Sequence, residues 1–83
     1  MSDTIRKLIA KNCNLPVNIA ALPDIADLYA AGLSSFASVQ LMLALEQHFD
    51  VTFPPYLQKR KTFGSIASIE SALDEILRAR KAA

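Results

Sequence analysis

A long segment without proline or glycine places the strongest restriction on how this chain folds. The segment runs from Ser34 or Ser35 to about Phe49 and is rich in leucine, alanine, methionine and glutamine, which favour helix. We therefore predict a helix over this segment. The chain has only 83 residues, of which 52% are hydrophobic, so this helix must supply much of one small core in a single domain spanning residues 1–83.

Two further helices are predicted on either side of it. Apolar residues recur at helical spacing from Ile5 onward, which predicts a first helix from roughly Asp3 to Asn12, with Ser2 and Asp3 capping its positive end. Thr62 stands where the N-cap of a last helix is expected, and apolar residues follow at spacings of three and four. That helix ends in a basic tail formed by Arg78, Arg80 and Lys81.

The connections between these helices are of unequal length. Residues 13–33 carry two prolines and no sustained period, so a long loop is expected, with one or two helical turns from Asp24 to Ala31 that end at Gly32. A short helical piece is expected from Pro54 through Lys59, because proline is tolerated in a first turn. No strand alternation is present, so the predicted fold is all-α, a small bundle of three main helices plus one short helix.

Charge and cysteine content exclude several classes of function. The net charge of +1 offers no field that favours nucleic acid or a membrane surface. The run Lys59-Arg60-Lys61 is interpreted as a solvated face, with contact to a partner as the alternative. Cys13, the only cysteine, is expected to be a small buried residue, and His48, the only histidine, a solvated one. They are too few to predict a metal site or a catalytic nucleophile. We expect a cytoplasmic monomer with no membrane segment.

The predicted second helix carries two apolar stripes, although a domain of this size has only one core. Leu41, Leu45 and Phe49, together with Met42, fall on one side of the helix. A second stripe is formed by Phe36, Val39 and Leu43. Either the long loop covers this stripe, or the stripe is a docking surface for a partner.

Two serines begin the same helix. Ser34 and Ser35 follow Gly32 and Leu33 at a helix N-terminus, where a phosphate group would be stabilised. Serine is also among the commonest N-cap residues, so both could simply cap the helix. Helix physics alone does not decide between capping and modification.

The residues around these serines resemble the signature of acyl and peptidyl carrier proteins. In that family a glycine, two variable residues, a serine and a large apolar residue open a helix that ends in an acidic residue and Phe-Asp. The matching positions here are Gly32, Ser35, Phe36, Leu45, Glu46, Phe49 and Asp50. The likeness extends through Phe53-Pro54 to the last helix, so it covers almost the whole chain.

The resemblance implies a carrier-protein fold and a covalent arm. A phosphopantetheinyl transferase would attach 4'-phosphopantetheine from coenzyme A to Ser35, and the thiol of the arm would hold cargo as a thioester. The chain itself would catalyse nothing. Ser34 would cap the helix, and partner enzymes would dock on Phe36, Val39, Gln40 and Leu43.

Ser34 stands where fatty-acid carriers usually have aspartate, which leaves the identity of the transferase open. The cargo is indicated by the nearly neutral second helix and the run Tyr29-Ala30-Ala31-Gly32, which look more like peptidyl carriers than fatty-acid carriers. We therefore expect a carrier similar to free-standing members that receive an amino acid from an ATP-dependent ligase resembling an aminoacyl-tRNA synthetase, and that pass it to a downstream acceptor enzyme. The alternatives are an acyl carrier for lipid or polyketide assembly, and a small helical interaction module without a covalent arm.

Overall fold

The computed structural model describes residues 1–82 and contains three α-helices. Helix α1 spans Ser2–Asn12, α2 spans Ser35–Phe49 and α3 spans Ile66–Ala82. Short 3-10 turns lie between them at Ile19–Ala21, Pro55–Leu57 and Arg60–Phe63. The part of the chain that is described has no β-strand, and the predicted all-α bundle is confirmed.

One core joins the three helices, because α1 packs against both α2 and α3. Each helix contributes the apolar side of its 3.6-residue period, and each fully buried aliphatic side chain stabilises the fold by about 1.5–3 kcal/mol. The largest fully buried side chains are Ile5, Ile9, Leu28, Leu41, Leu45, Phe53, Ile66, Ile69 and Leu73. Within residues 1–82 no helix combines the length and the apolar character that crossing a bilayer requires.

Arg6 fixes the long loop against α1. Its Nη1 donates to the carbonyl oxygens of Ile19 at 2.5 Å and Leu22 at 2.7 Å, and its Nη2 pairs with the carboxylate of Asp24. The guanidinium thus satisfies backbone acceptors of a segment that has almost no regular structure of its own. No local pattern of residues indicates this contact.

The residues before α2 form turns rather than the expected helix. Between Asp24 and Ala31 there are only hydrogen-bonded turns, so the prediction of one or two helical turns there is wrong. The physical reason is that Asp27 starts a new turn by accepting from the N–H of Tyr29 at 2.9 Å, and Gly32 ends it at a φ of 119°. A Cβ at Gly32 would lie 3.0 Å from Pro16 Cδ, so glycine is required on both counts.

The predicted N-cap of the last helix is also wrong. Thr62 is buried inside the turn Arg60–Phe63, and α3 begins at Ile66. Ser65 takes the capping role, because its Oγ accepts from the N–H of Ser68 at 3.1 Å. The residues that were expected to begin α3 belong to this 3-10 turn instead, so α3 begins about one turn later than predicted.

Two smaller expectations need correction as well. Helix α1 begins at Ser2 with Met1 as a cap that makes no side-chain hydrogen bond, so Ser2 does not cap it, whereas Asp3 does lie in the first turn. The short helical piece predicted from Pro54 through Lys59 is the single turn Pro55–Leu57. The backbone becomes extended at Lys59, with a φ of −140°, which stops the helical turn from growing.

Candidate functional site

The two serines at the start of α2 have different environments. Ser34 is the N-cap: its backbone is extended, with φ −86° and ψ 163°, and its Oγ accepts from the N–H of Ala37 at 3.0 Å. Ser35 is the first helical residue and is exposed. Within the described residues the hydroxyl of Ser35 makes no hydrogen bond, although its carbonyl accepts from Ser38 Oγ at 2.7 Å. Of the two hydroxyls, only that of Ser34 is thus engaged in a hydrogen bond within residues 1–82.

The second apolar stripe of α2, formed by Phe36, Val39 and Leu43 and called the exposed stripe from here on, points into solvent. Phe36 is 74% exposed, Val39 52% and Leu43 49%, and Gln40 beside them is exposed too. Leu41 and Leu45, on the other stripe, are completely buried. The interpretation in which the long loop covers the exposed stripe is therefore wrong. An apolar surface lies directly beside Ser35.

A groove of about 340 Å³ opens beside Ser35 and shares Val39 with the exposed stripe. It lies between α2 and the segment that leads to α3. Its lining residues are Tyr29, Ser35, Ser38, Val39, Met42, Gln58, Lys59, Arg60 and Phe63. None of them is acidic, while two carry a positive charge, so the groove favours an anionic group next to Ser35.

Arg60 is held over an aromatic ring at the wall of this groove. Its guanidinium carbon lies 3.8 Å from the centroid of the Tyr29 ring, well within the range of a cation–π contact. The ion pairs among the described residues join Arg6 to Asp24 and Arg78 to Asp74, and neither includes Lys59 or Arg60. Tyr29 and Arg60 are far apart in the sequence, so only their place in the fold reveals this contact.

Glu46 and Asp50 lie at the C-terminal end of α2, opposite the end that carries Ser35, and they fix the backbone that follows the helix. Glu46 Oε2 accepts from the N–H of Phe53 at 2.8 Å, and Asp50 takes the left-handed conformation, with a φ of 53°, that ends α2. Phe53 in turn packs against Phe63, with ring centroids 5.4 Å apart. Glu46 and Asp50 therefore position the segment that carries the groove wall.

The two remaining candidate residues, Cys13 and His48, lie in surroundings that indicate a structural role. Cys13 is buried, its thiol lies 3.7 Å from the carbonyl oxygen of Ala37, and burial raises its pKa. His48 is exposed and packs edge-on against Phe49, with ring centroids 5.0 Å apart. Among residues 1–82, no group of three or more histidine, cysteine or acidic side chains is arranged to bind a metal ion.

Comparison with known families and structures agrees with this geometry. Residues 3–73 match the family described as phosphopantetheine attachment site, a span that includes Ser35 and both sides of the groove. The chain is also 53% identical, over its full length and that of the relative, to an aminoacyl carrier protein of Agrobacterium fabrum.

Solved structures extend the comparison to complexes. One is an engineered Bradyrhizobium japonicum glycine:[carrier protein] ligase complexed with a carrier protein from Agrobacterium tumefaciens and AMP. The match has a TM-score of 0.86 and 54% identity, and covers 89% of this chain and 99% of that chain. Another is the Bradyrhizobium japonicum ligase complexed with a glycylated carrier protein, with a TM-score of 0.65 and 27% identity over 86% of this chain and 90% of that chain. The chain therefore belongs to the phosphopantetheine attachment family and, within it, to the aminoacyl carrier proteins.

Proposed function

We propose that Ser35 carries a 4'-phosphopantetheine arm and that the chain holds an activated amino acid on that arm as a thioester. One observation carries the proposal: Ser35 is the exposed first residue of α2, beside Ser34, whose hydroxyl is already engaged as the N-cap. The match of residues 3–73 to the phosphopantetheine attachment family supports the presence of such an arm on this chain.

The surroundings of Ser35 fit such a group. Its hydroxyl oxygen would attack the phosphorus of coenzyme A that bears the pantetheine, give up its proton, and displace adenosine bisphosphate, with a separate phosphopantetheinyl transferase as the catalyst. The resulting phosphodiester lies at the N-terminus of α2 and beside the cations Lys59 and Arg60, which offset its negative charge. When attached, the arm supplies the thiol that holds the cargo.

The exposed stripe is proposed as the docking surface for partner enzymes. Phe36, Val39 and Leu43, with Gln40 beside them, present an apolar face next to the attachment residue. A partner that covers this face would bring its active site within reach of the arm. The chain then acts as a non-catalytic carrier.

An amino acid is the proposed cargo, supplied by a separate ATP-dependent ligase and passed to an acceptor enzyme. The similar carrier proteins are complexed with glycine:[carrier protein] ligases, and one of them is glycylated, so glycine is the first amino acid to test. We further propose that the chain acts as a monomeric single domain in the cytoplasm, where coenzyme A and ATP are made.

Mass spectrometry tests the attachment. The purified chain is incubated with coenzyme A, magnesium and a broad-specificity transferase, and its intact mass is measured. We expect a gain of one phosphopantetheine on the wild type and on Ser34→Ala, and none on Ser35→Ala. A chain that gains no mass, or a Ser35→Ala variant that gains as much as the wild type, would contradict the proposal and favour an interaction module without an arm.

A second measurement tests the cargo. The holo protein is incubated with ATP, magnesium and single amino acids in the presence of a glycine:[carrier protein] ligase, and the mass gain is followed before and after hydroxylamine treatment. A hydroxylamine-sensitive gain of one aminoacyl group is expected. Loading of a fatty acyl group instead, in a lysate of the source cell, would favour the acyl-carrier alternative.

A further inference from the structure

The groove beside Ser35 has features that the attachment of an arm does not by itself explain. An arm that only swings between partner enzymes needs an exposed serine and a docking face. The structure adds two cations, because Lys59 and Arg60 line the same groove of about 340 Å³ as Ser35.

We propose that Arg60, held in place by Tyr29, binds the phosphodiester of the arm and folds the arm back into this groove when no partner is bound. This inference rests on the proposed attachment at Ser35. It assigns Arg60 as a residue that binds the arm and Tyr29 as its positioning residue, and Lys59 adds charge at the same wall.

The stacking geometry supports this role for Arg60. An arginine whose face lies over an aromatic ring keeps the N–H groups at its edge available, and those groups match the oxygen atoms of a phosphate. The contact with Tyr29 also restricts the rotamers of a long exposed side chain, which lowers the entropy cost of binding.

The charges that line the groove also favour binding of the phosphodiester by Arg60. Neither Lys59 nor Arg60 takes part in an ion pair within residues 1–82, and no acidic side chain lines the groove. A phosphodiester formed at Ser35 would therefore place an anion in a groove whose cations have no acidic partner among its lining residues. The apolar side chains of Val39, Met42 and Phe63 then lie along the path of the rest of the arm.

Electron paramagnetic resonance of the holo protein tests the proposal, with a maleimide nitroxide on the thiol of the arm. We expect an immobilised population in the wild type. Because an exposed ion pair contributes about 0.2–1 kcal/mol, Arg60→Gln should lower the ratio of docked to free arm by a factor of about 1.4 to 5. Tyr29→Leu should lower it as well, and added salt should mobilise the arm in the wild type more than in Arg60→Gln.

A matched control is available in the neighbouring cation. Lys61 is exposed but does not line the groove, so Lys61→Gln should leave the mobility of the label and the ³¹P resonance of the phosphodiester unchanged, while Arg60→Gln shifts that resonance. Equal mobility and equal ³¹P shifts in wild type and Arg60→Gln, after full mass gain in both, would overturn this inference and leave the attachment intact. Absence of the mass gain itself would overturn the attachment, and the inference with it.

Discussion

At the scale of single residues, Ser34 and Ser35 have different roles, one as the N-cap of α2 and the other as the proposed attachment residue. The side chain of Ser34 caps α2, whereas that of Ser35 projects from the first turn without an internal partner. We predict that Ser34→Ala lowers the free energy of unfolding by about 0.5–2 kcal/mol and still allows modification. Ser35→Ala should abolish modification and change stability little. Urea unfolding and intact mass measure the two effects, and the reverse pattern would mean that Ser34 is the attachment residue.

The buried thiol of Cys13 leads to a prediction about the free energy of unfolding at alkaline pH. Burial raises its pKa in the folded state, so above the ordinary thiol pKa of about 8.5 the unfolded chain loses its proton first. The stabilising contribution is fully present below that pH and is lost as the pH rises toward the folded-state pKa. The free energy of unfolding should therefore fall more steeply above pH 8.5 in the wild type than in Cys13→Ala. Parallel slopes in denaturant titrations of the two proteins would contradict this.

At the scale of elements, the long loop depends on one side chain of α1. Arg6→Met removes the donor to the carbonyl oxygens of Ile19 and Leu22. Leaving such acceptors without a partner should lower the free energy of unfolding by about 1–3 kcal/mol and expose the loop to limited proteolysis.

Asp24→Asn is the matched control for Arg6→Met. It removes only the exposed ion pair with Arg6 and should change stability by less than about 1 kcal/mol. Equal effects of the two substitutions in urea unfolding would show that the ion pair, rather than the backbone contacts, holds the loop.

The two stripes of α2 should respond differently to the same substitution. Leu43 is half exposed, so Leu43→Glu should preserve the helical circular dichroism but slow loading by the ligase, because a carboxylate would lose its water at the apolar contact. Leu45 is completely buried, so Leu45→Glu should unfold the domain. A folded Leu43→Glu protein that loads at the normal rate would show that the ligase docks elsewhere.

Local patterns in the sequence predicted the helices well and the contacts between segments poorly. Composition predicted α2 and periodicity predicted its second apolar stripe, because both depend on neighbouring residues, whereas the exposure of that stripe was left open. Ser65, and not Thr62, is the N-cap of α3 because residues 60–63 form a separate 3-10 turn. Local helix propensity does not decide whether such a turn forms. The stacking of Arg60 on Tyr29 joins distant parts of the chain, and without the fold these two residues look like ordinary surface positions.

At the scale of the whole molecule, the distribution of charge predicts how association depends on salt. The net charge is +1, and the exposed stripe carries no acidic residue. Raising salt from low to physiological concentration should therefore slow association with the ligase only modestly, because few charged pairs are screened. Stopped-flow measurement of the association rate checks this. A steep dependence would indicate that the ligase contacts the edge formed by Lys59, Arg60 and Lys61.

The burial of Cys13 also has a consequence for the integrity of the cargo. A thioester exchanges readily with any accessible thiolate, so a second reactive sulfur on the carrier would compete with the arm for its own aminoacyl group. The only cysteine of the chain is 3% exposed, its thiol lies against the carbonyl oxygen of Ala37 in α2, and burial raises its pKa, which lowers its thiolate fraction below that of an exposed cysteine. Transfer within the molecule is thereby suppressed, and so is disulfide formation between two carriers through this residue. With the arm that we propose on Ser35, the thiol of the arm would then be the single accessible thiol of the folded protein, and the amino acid would stay at that one place until an acceptor takes it.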